Sequence, residues 1–164
     1  MLSELYQAAA AEEADSVVLL LHFGVHRDGS YYLERNGTNW NEFRVVDEDG
    51  LQLVGRITET LEAKGLLTTN LDLSTLLVDL EKICPNLGLP IAISESAGSF
   101  VCNWVYTLSL LAAQRGEVLG QREKTQLASL FVHIPPWDSA NLQQNLQVAV
   151  GLCRLLSQTL QQEE

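Results

Sequence analysis

The sequence is poor in cysteine and in basic residues, and each shortage excludes a class of protein. Its three cysteines, an odd number in 164 residues, do not make the disulfide framework of a small secreted domain. Ten lysines and arginines stand against 21 aspartates and glutamates, which gives a formal charge of −11 at pH 7. A chain of this sign repels phosphate groups, so neither nucleic acid nor an anionic membrane is an expected partner.

Long apolar runs and internal repeats are also absent from the sequence. No run approaches the ~20 apolar residues that cross a bilayer, and no secretory signal peptide opens the chain. Together with the sparse cysteines, this predicts a protein of the reducing cytoplasm. The composition itself is globular, with 46% apolar residues. The length predicts a single domain with a real core, over residues 1–164.

Strand patterns and helix patterns alternate along the chain. Continuous apolar runs and one shorter segment predict four strands, at 17–24, 30–34, 89–93 and 127–134. Apolar spacing and an Ala- and Glu-rich segment predict four helices, over 2–14, 71–83, from residue 101 onward and over about 139–160. Polar segments predict exposed loops at 36–50 and 116–126. This alternation predicts an α/β fold, a three-layer α/β/α sandwich with an open, mostly parallel twisted sheet.

Cys102 lies where a predicted strand passes into a predicted helix. A turn of small residues, 96–99, separates the two and leaves room for a substrate to approach the backbone. Cys102 then falls in the first helical turn, where free N–H groups and the helix dipole stabilise a thiolate. Cys102 is therefore a candidate nucleophile. The alternative is a small buried apolar side chain, which is the commoner fate of a free cysteine.

His133 and Glu34 are the candidate partners of this cysteine. His133 lies at the carboxyl end of one buried strand and Cys102 follows the carboxyl end of another, so both are expected at one crevice. An imidazole can take the thiol proton and later protonate a leaving amine. Glu34 follows an apolar segment and is the candidate carboxylate that orients the ring. A lone histidine at a strand end would instead be structural or merely exposed.

The remaining histidines do not predict a metal site. His22 and His26 are four residues apart, but they flank a glycine-containing strand end rather than sharing a helix face. We therefore predict neither a metal nor a cofactor.

Three segments of the chain carry a resemblance to a known family. They are Ser-Ala-Gly-Ser-Phe-Val-Cys-Asn at 96–103, Phe-Val-His-Ile-Pro at 131–135, and Leu-Glu-Arg at 33–35, the last followed by Asn39, Arg44 and the polar loop 47–50. In this order they resemble the nucleophile, histidine and glutamate motifs of the pyroglutamyl peptidase I family, the pyrrolidone carboxyl peptidases. The similarity runs from about residue 17 to the C-terminus.

The resemblance implies a cysteine omega-peptidase that removes an N-terminal pyroglutamyl residue from peptides. It implies Cys102 as nucleophile, His133 as general base and then acid, and Glu34 as the carboxylate that holds the ring. It also implies that Arg44 binds the oxyanion beside the backbone N–H of Cys102, since both donors stabilise developing negative charge. Peptides with N-terminal pyroglutamate are thus the expected partners. The oligomeric state stays open, a homo-oligomer included.

The resemblance also implies a segment that this sequence does not match. The family begins with a strand and a Gly-Phe-rich loop that walls the pyroglutamyl ring, whereas residues 1–14 predict a helix. We therefore expect a chain truncated at its N-terminus relative to the family, with unpaired edges on the strands 17–23 and 127–134. Three functions stay open: an active peptidase, a non-catalytic or truncated member that acts by binding or is inactive, and a redox-sensing thiol protein.

Overall fold

The computed structural model of the chain describes residues 17–43, 46, 49–115, 126–136 and 142–161. The helix expected over 2–14 and most of the loop expected over 116–126 lie outside these described residues. Among the helices that are described, none combines the length and the apolar character required to cross a membrane.

The described part of the chain contains eight strands and three helices. The strands are β1 (Val17–Val25), β2 (Tyr31–Glu34), β3 (Asn36–Thr38), β4 (Asn41–Glu42), β5 (Val54–Gly55), β6 (Leu66–Thr68), β7 (Ile91–Ser94) and β8 (Gln126–Ile134). The helices are α1 (Leu73–Ile83), α2 (Val101–Arg115) and α3 (Leu142–Gln161). All four predicted strands and the helices predicted from 71 and from 101 are confirmed. The segment 36–50 is not wholly a loop, because β3 and β4 lie in it.

Four strands form the main sheet, in the order β1–β8–β2–β7. β1 and β8 are parallel over nine residue pairs, and β2 and β7 are parallel over four. The two halves are joined by an antiparallel pairing of β2 with β8. Two of the three pairings are therefore parallel, which confirms a mostly parallel sheet with one antiparallel join.

Helices cover both faces of this sheet. Side chains alternate between the faces along each strand, so successive residues meet different helices. One face packs against α1 and α3 and buries Leu33, Leu130 and Val132 in the larger core. The opposite face packs against α2, where Phe131 and Tyr106 belong to a second buried cluster. The predicted α/β fold and its three layers are confirmed.

The sheet order corrects one expectation about free edges. We expected an unpaired edge on the strand near 127–134, but β8 pairs with β1 along its whole length and with β2 over residues 131–133. The expectation is therefore wrong for the carboxyl end of β8, whereas residues 127–130 have no second strand partner within the described residues. Within the described residues, β1 is hydrogen-bonded to β8 alone and is an edge strand, as expected.

Candidate active site

Glu34 and His133 lie on the face of the sheet that α2 covers. In the antiparallel pairing of β2 with β8, Tyr32 is opposite His133 and Glu34 is opposite Phe131. Residues two apart on a strand share a face, so Glu34 and His133 are diagonal neighbours. On its other side His133 pairs with Gly24 of β1. Strand register alone therefore brings a carboxylate within reach of an imidazole.

Glu34 and His133 form a buried, hydrogen-bonded pair. Glu34 Oε1 lies 2.6 Å from His133 Nδ1, and the two residues are only 1% and 5% exposed. A distance this short is typical of a hydrogen bond between charged groups. The second carboxylate oxygen, Oε2, is buried and has no hydrogen-bond partner among the described residues. The carboxylate is therefore committed to the His133 ring.

Cys102, in the first turn of α2, lines the same cavity as His133 and lies near its imidazole. Burial lowers the pKa of His133, but the hydrogen bonds to Cys102 and Glu34 and the attraction of both groups outweigh burial and raise that pKa to about 9. His133 is therefore protonated at neutral pH. A cationic imidazole beside a cysteine is the arrangement that favours a thiolate nucleophile. The structure thus brings the three residues Cys102, His133 and Glu34 together.

Gly24 makes room for this arrangement, although the sequence pattern does not single it out as a site residue. A Cβ atom at position 24 would lie 3.0 Å from Cys102 Sγ and 2.7 Å from the Phe131 ring. Contacts this short force the thiol or the ring to move. The available signal was a glycine near the end of an apolar strand, which often marks a close approach of another group.

Asn103 ties the start of α2 to the segment that follows β2. Its side chain is fully buried, and its Oδ1 accepts a hydrogen bond from the Thr38 N–H at 2.8 Å. Its Nδ2 donates to the carbonyl oxygens of Thr38 and Trp40, both at 2.9 Å. The residue beside the candidate nucleophile therefore fixes the chain that runs from β3 to β4.

Arg44, the candidate oxyanion donor, lies outside the described residues. The residue before it, Phe43, stacks on Phe100 of the turn before α2, with ring centroids 6.2 Å apart. In addition, the Glu42 N–H donates to the Ser99 carbonyl at 3.0 Å. The segment that leads to Arg44 is thus held against the turn that precedes Cys102.

An open cavity of about 820 Å³ adjoins Cys102 and His133. Its other walls are residues 25–27, which end β1 and follow it, and the turn 96–100. Gly98 in this turn has a left-handed φ of 86°, and apart from its chain neighbours no atom of the described residues lies within 4 Å of the place where its Cβ would be. The backbone of the turn is therefore accessible from the cavity.

A second histidine stands at the cavity wall. The ring of His26 meets the edge of the His133 ring, with centroids 5.4 Å apart, and its Nδ1 lies 3.0 Å from Asp28 Oδ1. Across the part of the chain that the structure describes, no three His, Cys, Asp or Glu side chains converge as ligands for a metal ion.

Cys102 and His133 lie together, but the sheet geometry that we expected to bring them together is wrong. We expected the carboxyl ends of β7 and β8 to share one edge of the sheet. However, β2 lies between these strands, parallel to β7 and antiparallel to β8, so their carboxyl ends point in opposite directions. The turn after β7 leads into α2, which runs over the face of the sheet and brings Cys102 to His133 there.

The α/β fold thus places near one cavity a cysteine, a histidine and a carboxylate, which are residue types that cysteine-dependent hydrolases use. The family model for pyroglutamyl peptidase matches residues 2–150, and the chain belongs to the pyroglutamyl peptidase family. The predicted family is therefore confirmed.

Two curated relatives and several solved structures agree with this assignment. The pyrrolidone-carboxylate peptidases of Pectobacterium carotovorum and Pectobacterium atrosepticum are each 34% identical over 136 residues, which are 82% of this chain. The chain spans 56% of the length of these relatives.

The solved structures are similar in fold. Pyrrolidone carboxyl peptidase from Pyrococcus furiosus matches with a TM-score of 0.69 at 19% identity, over 96% of this chain and 76% of that one. The enzyme from Thermus thermophilus matches with a TM-score of 0.61 at 24% identity, over 92% of this chain and 74% of that one.

Proposed function

We propose that this chain is a cysteine peptidase that removes an N-terminal pyroglutamyl residue from peptides. The observation that carries the proposal is the imidazole of His133, which lies 2.6 Å from Glu34 and lines one cavity with Cys102. Family membership supports the substrate class, because the relatives are named for the pyrrolidone-carboxylate group. The cavity beside Cys102 supplies space for a peptide terminus.

In the proposed mechanism, the Cys102 sulfur attacks the carbonyl carbon of the peptide bond that joins the pyroglutamyl residue to the next residue. His133 holds the proton that the thiol has lost and transfers it to the leaving amine as the C–N bond breaks. A water molecule, deprotonated by His133, then attacks the thioester and releases free pyroglutamate and the Cys102 thiol. Glu34 keeps the ring oriented and stabilises its positive charge through both steps.

Negative charge develops on the carbonyl oxygen in both steps and requires donors. We assign the first to the backbone N–H of Cys102, near the start of α2, and the second to the Arg44 guanidinium. Each oxyanion donor in such sites is worth roughly 10²–10³ in kcat. No metal or cofactor takes part in this proposal.

A second candidate function is that of a family member that binds but does not turn over substrate. The cavity beside Cys102 and the family match support binding of such a peptide whether or not the chain turns it over. We further propose that residues 1–164 form a single domain that works in the cytoplasm. The three cysteines, one of them exposed, are all free, as a reducing compartment requires.

Hydrolysis of a fluorogenic pyroglutamyl amide tests the proposal directly. We expect release of the fluorophore by the wild-type chain and none by Cys102→Ala, with the corresponding prolyl amide as a substrate control. Binding of pyroglutamyl peptides without turnover would favour the second candidate. Turnover that survives in Cys102→Ala would exclude the proposed nucleophile.

A further inference from the structure

Tyr106 is a residue of α2 that contacts β2 and β8, the strands of Glu34 and His133. It belongs to α2, one turn after Cys102, and it is fully buried. Its hydroxyl donates to the backbone carbonyl of Glu34 at 2.7 Å. The backbone of Phe131 and the side chain of Thr69 lie near this hydroxyl. One side chain of the nucleophile helix is thus bonded to β2, and its ring packs against a residue of β8.

The contacts of Phe131 extend this link to His133. Phe131 stands opposite Glu34 in the β2–β8 pairing. Its ring centroid lies 5.9 Å from that of Tyr106 and 5.0 Å from that of His133. The Tyr106 ring therefore packs near the Phe131 ring, which in turn packs near His133. The Tyr106 hydroxyl binds the Glu34 main chain.

Among the described residues, His133 is the hydrogen-bond partner of the Glu34 carboxylate. Its Oε1 is bonded to His133, and its Oε2 has no hydrogen-bond partner in that part of the chain. The position of the carboxylate relative to His133 therefore depends on the position of the Glu34 backbone. The Tyr106 hydroxyl holds that backbone at the carbonyl oxygen.

We propose that Tyr106 is a positioning residue, which holds Glu34 at a fixed distance from the helix that carries Cys102. The effect on kcat rests on the proposed function. The effect on the positions of Glu34, His133 and Cys102 does not. Without the hydroxyl, Glu34 moves relative to His133, and the imidazole is less well oriented toward the Cys102 sulfur.

Tyr31 provides a matched control for this residue. It is also fully buried, and its hydroxyl donates to Asn145 Oδ1 at 2.8 Å. It lies on β2 three residues before Glu34, but on the opposite face of the sheet, in the core formed with α1 and α3. Tyr31→Phe therefore removes a buried hydroxyl from the same strand without touching the site.

Steady-state kinetics of Tyr106→Phe and Tyr31→Phe test the proposal. We expect both variants to melt at lower temperature than the wild type. Tyr106→Phe should lower kcat about three- to tenfold, the effect of one ordinary hydrogen bond, with KM within about twofold of wild type. Tyr31→Phe should leave kcat within about twofold, because a purely structural loss does not reach the triad. Equal losses of kcat in the two variants would overturn the proposal.

A double-mutant cycle with Glu34→Gln identifies the route of the effect. If Tyr106 acts through Glu34, then Tyr106→Phe should cause less than about a twofold further loss in the Glu34→Gln background. Full additivity of the two losses would overturn the proposal, because Tyr106 would then act on another group.

Alkylation of Cys102 keeps this test independent of turnover. The rate with iodoacetamide, resolved by peptide mass spectrometry from Cys84 and Cys153, reports how well His133 activates the thiol. His133 is faced by Glu34 from β2, by Cys102 from α2 and by His26 beyond β1, so the pH profile belongs to this set of groups. Slower alkylation in Tyr106→Phe but not in Tyr31→Phe supports the positioning role even if the wild type hydrolyses nothing. Unchanged alkylation and kcat in Tyr106→Phe overturn it.

Discussion

Close contact with the Phe131 ring and with Cys102 explains why glycine fits position 24. Its φ lies outside the left-handed region, so an alanine would be strained by its surroundings and not by its own dihedral angles. Those surroundings are the Cys102 sulfur and the Phe131 ring, 3.0 Å and 2.7 Å from a Cβ. A movement of the Cys102 sulfur, or of the Phe131 ring that contacts His133, alters the position of Cys102 relative to His133.

We therefore predict that Gly24→Ala slows both turnover and iodoacetamide labelling of Cys102 by about tenfold or more, because a misplaced nucleophile reacts poorly. Overpacking should also lower the free energy of unfolding by roughly 1–3 kcal/mol. Gly151→Ala is the control, since its Cβ would lie 3.0 Å from Leu80 and Ile83 side chains, away from Cys102. Unchanged labelling in Gly24→Ala would show that the site adapts to the methyl group.

Side-chain chemistry predicted some of these residues and not others. Cys102, His133 and Glu34 stand out in sequence because a thiol, an imidazole and a carboxylate at element ends suggest one reaction. Gly24 and Tyr106 do not carry reactive groups at element ends that would suggest a part in that reaction. Their roles depend on distances between β1, β2 and α2, which are set by tertiary packing and not by the local pattern.

At the scale of elements, two buried asparagines organise the chain between β2 and α1. Asn103 joins α2 to the β3–β4 connection through its hydrogen bonds with Thr38 and Trp40. Asn39 accepts from the N–H groups of Ile57 and Thr58, and its Nδ2 donates to carbonyl oxygens further along the same loop. Both side chains are fully buried, so each lost partner leaves a polar group unsatisfied.

The composition of 36–50 explains why the sequence predicts a loop there. The segment has the asparagine, aspartate and glycine content of a turn, with no alternating apolar pattern. Its strands β3 and β4 are only three and two residues long, and they pair with β6 and β5. Their pairing depends on Asn39 and Asn103, which act over long stretches of sequence that local propensity does not sample.

We predict that Asn103→Ala and Asn39→Ala each lower the free energy of unfolding by about 2–4 kcal/mol, as expected for a buried polar hub. Their effects on the site should differ. Asn103→Ala frees the segment that leads to Arg44, and it should raise KM or lower kcat by about tenfold, whereas Asn39→Ala leaves α2 untouched. Urea unfolding and amide hydrolysis of both variants provide the measurements. Equal kinetic losses would contradict a specific link through Asn103.

At the scale of the whole molecule, strand alternation predicted the class of fold but not the direction of every strand. The rule that strands separated by helices run parallel holds for β1 with β8 and for β2 with β7. It fails between β2 and β8, and this one antiparallel join is what sets Glu34 diagonally opposite His133. Sheet order is a global property, so no local stretch of sequence encodes it.

The buried pair of Glu34 and His133 also couples folding to pH. The pKa of His133 is raised from its ordinary value of 6.5 to about 9 in the folded chain. A raised histidine pKa contributes stability that is fully present below the unfolded value, here 6.5, and is lost as pH rises through about 9. At about 1.4 kcal/mol per pH unit, the contribution is on the order of 3 kcal/mol.

We predict that the free energy of unfolding of the wild-type chain falls by about 3 kcal/mol between pH 6 and pH 10, and that the fall is smaller in Glu34→Gln. A carboxamide removes the charge that attracts the imidazolium, so the folded pKa of His133 moves down toward 6.5 in that variant. Urea unfolding at matched ionic strength gives both curves, and their difference cancels the groups that the two chains share. In parallel, an NMR titration of the three histidines should show the resonance of His133 titrating at lower pH in Glu34→Gln. Parallel stability curves and an unmoved His133 titration would mean that Glu34 does not supply the charge that holds the imidazolium.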